Sequence, residues 1–226
     1  MPVLAIDGPS GAGKSSVSKA LAQTFGWEYL DTGALYRALT LFAIENEISE
    51  PSAIPELLPS SDVQWLGNPR QPEIRLANRL INEEIRAEKV TERVSAIAAN
   101  SQVRAYLLLL QRSIINQAKR GIVVEGRDIG TTVWPDAELK IFLTADLQAR
   151  AERRNAELQE NFSDGEVEIS LARRDAIDST RSASPLRQSE DQITVDATHL
   201  TLEQVVSLIA QQVIELKLNS DSDSDD

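Results

Sequence analysis

Apolar residues along this chain follow two rhythms. Short, largely apolar runs at 3–7, 27–31, 121–125, 139–143 and 192–196, continuous at 121–125, read as strands, with the first buried. Between them, apolar positions recur every three or four residues: Val17, Ala20, Leu21 and Phe25, then Leu35, Leu39, Phe42 and Ile44. That spacing predicts helices over 15–25 and 33–47, and similar patterns predict helices over 91–100, 101–119, 146–159, 168–179 and 202–218. Gly26 is placed to stop the first helix, and Thr201 with Gln204 forms a capping box opening the last. Buried strands alternating with helices imply an α/β protein, with a five-stranded parallel sheet and helices on both faces.

Three stretches break the alternation. Residues 50–90 hold Pro51, Pro55, Pro59, Pro69 and Pro72, and two short strand patterns at 63–66 and 73–76 flank a turn at Gly67-Asn68-Pro69. This reads as an insert with its own small antiparallel sheet, interrupting a core made of 1–49 and 91–218. A loop is expected over 161–165, between two charged helices. Residues 219–226 contain no apolar residue and read as a disordered acidic tail. The stripe 107–110 and Trp27, Trp65 and Trp134 read as packing positions.

Composition narrows the class. The chain has 226 residues, net charge −12 and no cysteine, so disulfides and thiolate metal sites are excluded. The first six residues lack a basic signal-peptide start, and no apolar run approaches about 20 residues. A cytoplasmic protein is expected. The negative charge argues against a general nucleic-acid surface. The basic residues comprise 17 Arg and only 6 Lys, and seven Arg fall between Arg150 and Arg187. Arginine presents a planar fork of donors suited to phosphate and carboxylate. The cluster fits a small anionic ligand or a salt-bridged helix surface equally well.

The first strand runs into Gly8-Pro9-Ser10-Gly11-Ala12-Gly13-Lys14-Ser15-Ser16, a full match to the phosphate-loop pattern G-x-x-x-x-G-K-[ST]. Glycines let the chain wrap so that backbone N–H groups point at phosphate oxygens, and the helix N-terminus adds its positive end. Lys14 is expected to reach the β/γ-phosphates and Ser15 to hold Mg²⁺. A chance match in a chain this long is roughly one in a hundred, and this one sits between a strand and a helix pattern. ATP binding follows. The base-reading motif of GTPases is absent, which leaves a small-molecule or nucleotide kinase.

Two further segments follow strand patterns at the same sheet edge. Asp31-Thr32-Gly33-Ala34-Leu35-Tyr36-Arg37 opens a helix that Thr32 can cap, with Arg37 on its second turn. A hydroxyl, a helix N-terminus and an arginine suit an acceptor phosphate. Glu125-Gly126-Arg127-Asp128-Ile129-Gly130-Thr131 offers an Arg–Asp pair that is either a salt bridge or a substrate contact.

Taken in order with Arg174-Asp175-Ala176-Ile177-Asp178-Ser179-Thr180-Arg181 and Val133-Trp134-Pro135-Asp136-Ala137, these segments resemble the bacterial cytidylate kinase family from about residue 3 to 216. The resemblance implies a P-loop kinase fold with a small inserted NMP-binding subdomain at 50–90 and a helical lid at about 146–182. It implies Mg²⁺-dependent transfer of the ATP γ-phosphate to CMP or dCMP by a monomer. Ser95, Arg104 and Asp128 match family positions facing cytosine. Thr32, Arg37 and Arg127 match acceptor-phosphate contacts, Arg174 and Asp178 contacts near the sugar, and Arg181 a residue near the nucleotide and its phosphates. Lys14, Arg127, Arg181 and Arg153 are the expected catalytic cations, with Arg150 and Arg154 also on the lid. Glu125 stands where the family commonly has Asp and is expected to orient Mg²⁺ through water.

No general base is needed, because a CMP phosphate oxygen is already ionised; His199 is expected to be an exposed loop residue. The competing readings are a kinase for UMP or shikimate, a catalytically silent nucleotide-binding protein, and an RNA-associated NTPase.

Overall fold

A computed structural model describes residues 1–158 and 164–218. The tail at 219–226 and most of the loop expected at 161–165 lie outside the described residues.

The chain order begins β1 (Val3–Asp7), α1 (Lys14–Phe25), β2 (Glu28–Asp31) and α2 (Thr32–Glu45). The proline-rich stretch follows with α3 (Ile54–Leu57), β3 (Val63–Leu66), β4 (Glu73–Leu76) and β5 (Arg79–Leu80). Then come α4 (Glu88–Ala99), α5 (Ser101–Gln117), β6 (Ile122–Gly126) and β7 (Leu139–Thr144). Helices α6 (Leu147–Leu158) and α7 (Asp164–Thr180), over the stretch expected to be a lid, β8 (Ile193–Asp196) and α8 (Leu202–Glu215) complete it.

The expected five strands form one parallel sheet in the order β2-β6-β1-β7-β8. β1 lies at its centre with all five residues buried, which is why its sequence shows no polar alternation. Alternate residues feed two cores. Val3 and Ala5 join α2, α5 and the insert on one face; Leu4 and Ile6 join α1 and α8 on the other. The chain leaves β1 in both directions across the sheet, so the loop after β1 stands at a topological switch point.

The insert carries its small sheet as expected, with Val63 opposite Leu76 and Leu66 opposite Glu73. It gains a third strand, β5, which pairs Arg75 with Leu80. Two residues are too few to show a period, so no pattern announced it. The turn before β5 is made by Ala77 and Asn78, both at positive φ.

Trp27 is buried in the core, while Trp65 and Trp134 pack against it partly buried. Leu107 is buried but Leu109 is 72% exposed, correcting the reading of 107–110 as one core stripe. Consecutive residues of one helix are about 100° apart and cannot all face inward.

Candidate active site

The phosphate loop depends on three glycines at positive φ: Gly8, Gly11 and Gly13. Gly8 is the tightest, because a Cβ there would sit 2.0 Å from the Leu143 carbonyl oxygen of β7. Gly13 caps α1 in the left-handed conformation with no side chain bonded to the first turn, so the amides of that turn remain available to an anion. Lys14 is buried, and its Nζ donates to the Pro9 carbonyl at 2.7 Å, curled back over the loop. Ser15 and Ser16 are exposed. The loop is tied to both α6 and α7: Arg150 Nη1 donates to the Ser10 carbonyl at 3.0 Å, and Ser10 N–H donates to Asp175 Oδ1 at 3.2 Å.

Beside the loop, at the carboxyl ends of β2 and β6, lies a narrow cavity of about 100 Å³. Its floor is Lys14 and Glu125. α2 contributes Thr32 and Arg37, α4 contributes Ser95, and α5 contributes Arg104. The segment after β6 adds Arg127 and Asp128, and the α7 side adds Arg174, Asp178 and Arg181. Every residue expected to meet the acceptor therefore lines one cavity.

Their side chains alternate in sign. Arg104 Nη2 donates to Asp128 Oδ2, and Arg181 lies 3.6 Å from the other Asp128 oxygen. Arg181 also approaches Asp178 at 3.4 Å, and Asp178 accepts from Arg127 Nε at 2.9 Å. Arg104 is held further by the Ala98 carbonyl at 3.2 Å and lies 5.4 Å from the Tyr36 ring centroid. Arg37 is fixed by the Ile85 carbonyl at 3.1 Å and Thr91 Oγ1 at 3.0 Å, which ties the insert and α4 to the pocket.

Positive charge is in excess. Burial pushes the Arg37 and Arg174 guanidiniums down to about 10, and neighbouring arginines, Arg127 among them, push the same way. Arg104 Nε, Arg174 Nε and Arg181 Nη2 are buried without a hydrogen-bond partner. Guanidinium donors crowded against like charge favour a nearby anion. Burial also depresses the Lys14 ammonium, helped by Arg127 and opposed by Glu125. Burial raises the Glu125 carboxyl, and Asp31 raises it further; Tyr29 donates its phenol hydrogen to Glu125 Oε1.

One expectation needs revising. Asp31, not Thr32, caps α2 by accepting from Ala34 N–H at 3.1 Å. Thr32 instead donates its hydroxyl to the Glu125 carbonyl at 2.7 Å and packs under Gly126, where a Cβ would lie 2.7 Å from that hydroxyl oxygen. Arg153 is not among the residues lining the acceptor cavity. It donates to the Ala197 carbonyl and lines a separate cavity with Ala12, Gly13 and Ser16, on the other side of the phosphate loop. Its neighbour Arg154 lines a third cavity, with Arg174, Arg86 and Leu171. His199 is exposed, as expected.

Sequence reasoning missed Asp175, which anchors Ser10 and Arg150, and Tyr36, which lies against Arg104. Neither partner is near in sequence, so no local pattern marks them.

The family model described as cytidylate kinase matches residues 4–215. The cytidylate kinase of Streptomyces avermitilis is 46% identical over 215 residues, covering 94% of this chain and 93% of that protein. The cytidylate kinase of Carboxydothermus hydrogenoformans is 45% identical over 213 residues, covering 92% and 95%. Among solved structures, an uncharacterized protein from Eubacterium ventriosum has a TM-score of 0.54 at 12% identity, covering 95% of this chain and 99% of that one, a likeness of fold alone.

Proposed function

The chain belongs to the cytidylate kinase family, and from that premise we propose that it transfers the γ-phosphate of ATP to CMP or dCMP, giving ADP and CDP or dCDP. The observation that carries this reading is the alternating row Arg104, Asp128, Arg181, Asp178 and Arg127 in one cavity beside the phosphate loop.

One end of that row suits a cytosine. Asp128 accepts from the exocyclic N4 amino group, while Arg104 and Ser95 donate toward O2 and N3. Uracil carries an acceptor at C4 and would face the Asp128 carboxylate with no hydrogen between them. The other end suits a phosphate: Arg37 and Arg127 neutralise the acceptor phosphate, with Thr32 beside them. Arg174 and Asp178 lie between the two ends, where a sugar would sit. Arg181 touches both acids of the row and reads the nucleotide's charge.

Residues 8–16 hold the ATP phosphates through backbone N–H groups, and Lys14 reaches the β/γ-phosphates. An acceptor phosphate oxygen attacks the γ-phosphorus in line, and the bond to the ADP oxygen breaks. No proton has to be removed, so the chain's part is alignment, charge neutralisation and exclusion of water. The hard oxygen donors Ser15 and Glu125 fit Mg²⁺, Ser15 directly and Glu125 through water; bound there, the ion would offset charge on the β- and γ-phosphates. On α6, Arg153 serves the ATP side and Arg154 the acceptor side.

Residues 1–49 and 91–218 form the catalytic core in this reading, with the lid at about 146–182, and 50–90 enlarge the acceptor side. One chain supplies the whole pocket, which supports a monomeric catalyst. No helix among the described residues is long and apolar enough to cross a membrane, and a cytoplasmic enzyme of nucleotide metabolism is the fitting role.

The test is turnover with ATP–Mg²⁺ against CMP, dCMP, UMP, AMP and shikimate. Preference for CMP or dCMP is expected. Preference for any other acceptor refutes the reading, and ATP binding without transfer to any acceptor would mark a silent nucleotide-binding protein.

A further inference from the structure

Asp7 has no role in the scheme above, yet it is the most deeply committed carboxylate in the fold. It ends the central strand and is fully buried. Its Oδ1 accepts from Ile129 N–H at 2.7 Å; its Oδ2 accepts from Gly130 N–H at 2.8 Å and from Gln192 Nε2 at 2.9 Å. Ile129 and Gly130 open the wide helical turn Ile129–Val133 that follows Asp128 directly. The far side of that turn folds back, because the Asp128 carbonyl accepts from Thr132 N–H at 2.9 Å and Val133 N–H at 3.1 Å.

We propose that Asp7 is a positioning residue for acceptor recognition: it clamps the turn that carries Arg127 and Asp128, with Gln192 as the brace behind it.

Three observations support a clamp over ordinary core filling. A buried carboxylate is a costly way to fill space: burial, with a smaller push from Asp128, outweighs the lowering by the Ile129 and Gly130 N–H bonds and holds the Asp7 carboxyl at about 6. A fixed bidentate acceptor is what two successive N–H groups require, and no apolar residue supplies it. Gln192 is itself fixed, its Oε1 accepting from Ser189 N–H at 2.9 Å. Gly130 leaves room for the brace: a Cβ there would lie 3.0 Å from Gln192 Nε2 and 3.2 Å from Lys140 Cδ. The described bonds of Asp7 all run to this turn and to Gln192, not to the phosphate loop that begins one residue later.

The inference rests on the cytidylate kinase reading and predicts an asymmetric loss. Asp7→Asn keeps the shape but turns an NH₂ toward a donor. Gln192→Leu removes the brace and leaves Asp7 intact. For Asp7→Asn, KM for CMP should rise about tenfold, equivalent to ~1.4 kcal/mol. The ratio of kcat/KM for CMP over UMP should fall by a similar factor, with KM for ATP within about twofold. Gln192→Leu should shift the same two quantities in the same direction, by less. Equal losses toward ATP and CMP, or an unchanged CMP/UMP ratio in a folded variant, would overturn the proposal. If Asp7→Asn fails to fold, the ratio in Gln192→Leu decides alone. Wild-type enzyme run alongside separates the two levels. If it shows no cytidine preference, the functional reading fails; if it shows the preference and both variants keep it, only the clamp fails.

Discussion

Replacing Asp128 with alanine should damage stability and acceptor choice by separable amounts. In the folded protein Asp128 stands between two guanidiniums whose side chains are only 8% and 4% exposed, those of Arg104 and Arg181. Removing the acid leaves both cations buried and facing each other. Breaking one member out of a buried pair costs about 3–5 kcal/mol. In a chain of this size each kcal/mol moves the melting temperature by roughly 2–4 °C, so a fall of about 6–20 °C is expected. Losing the acceptor for the cytosine amino group costs a further ~1–3 kcal/mol of discrimination, which is roughly 5–150-fold in kcat/KM for CMP. Asp128→Asn is the informative companion. It keeps an oxygen for Arg104 and offers the base a donor, which matches uracil's carbonyl, so the CMP/UMP ratio should fall or invert while stability suffers less. Thermal melts, steady-state kinetics with CMP and UMP, and ATP titration together read all three effects. A folded Asp128→Ala protein that keeps its CMP/UMP ratio, or weakens toward ATP and CMP alike, would refute the place given to Asp128.

Three further outcomes are expected. Gly8→Ala forces a Cβ to within 2.0 Å of the Leu143 carbonyl oxygen at φ 151, so urea denaturation should show a loss of roughly 2–5 kcal/mol; stability equal to wild type would contradict the loop geometry. Lys14→Met should lower kcat by about 10²–10³ while leaving CMP binding by titration near wild type, since the ammonium acts on the ATP phosphates. Asp7 predicts a pH signature in stability. Its folded pKa of about 6 stands above the ordinary value of 3.8, so its stabilising contribution is fully present below about pH 3.8 and is lost as pH rises through 6. The stability of wild type relative to Asp7→Asn should therefore fall by on the order of 3 kcal/mol between pH 4 and 7; a difference constant across that window would place the Asp7 pKa elsewhere.

Much of this protein was written in local patterns. The five strand runs, the helical spacings between them and the phosphate loop each depend on residues within one turn or one strand of each other, so the reading of β1 through Lys14 needed nothing distant, although β8, at the sheet edge, is mostly exposed where a buried strand is expected. The capping box of Thr201 and Gln204 formed as its two residues imply. Even the insert's paired strands at 63–66 and 73–76 carried their own alternation. The family resemblance added which arginines and acids are expected to meet an acceptor, and the fold gathers those residues into one cavity.

What the tertiary structure decided was orientation and partnership. Arg153 and Arg154 are consecutive on α6, so they point about 100° apart, and they line different cavities. Asp128 is paired with a buried guanidinium because α5, 24 positions earlier, delivers Arg104 to it. Asp7 looked like the polar end of an apolar run. Only sheet pairing of β1 with β6, and the return of the chain 185 residues later at Gln192, turned it into a clamp. Periodicity and backbone preference act over a few residues and are visible in sequence; the pairing of buried charges acts through space and has no sequence period to betray it.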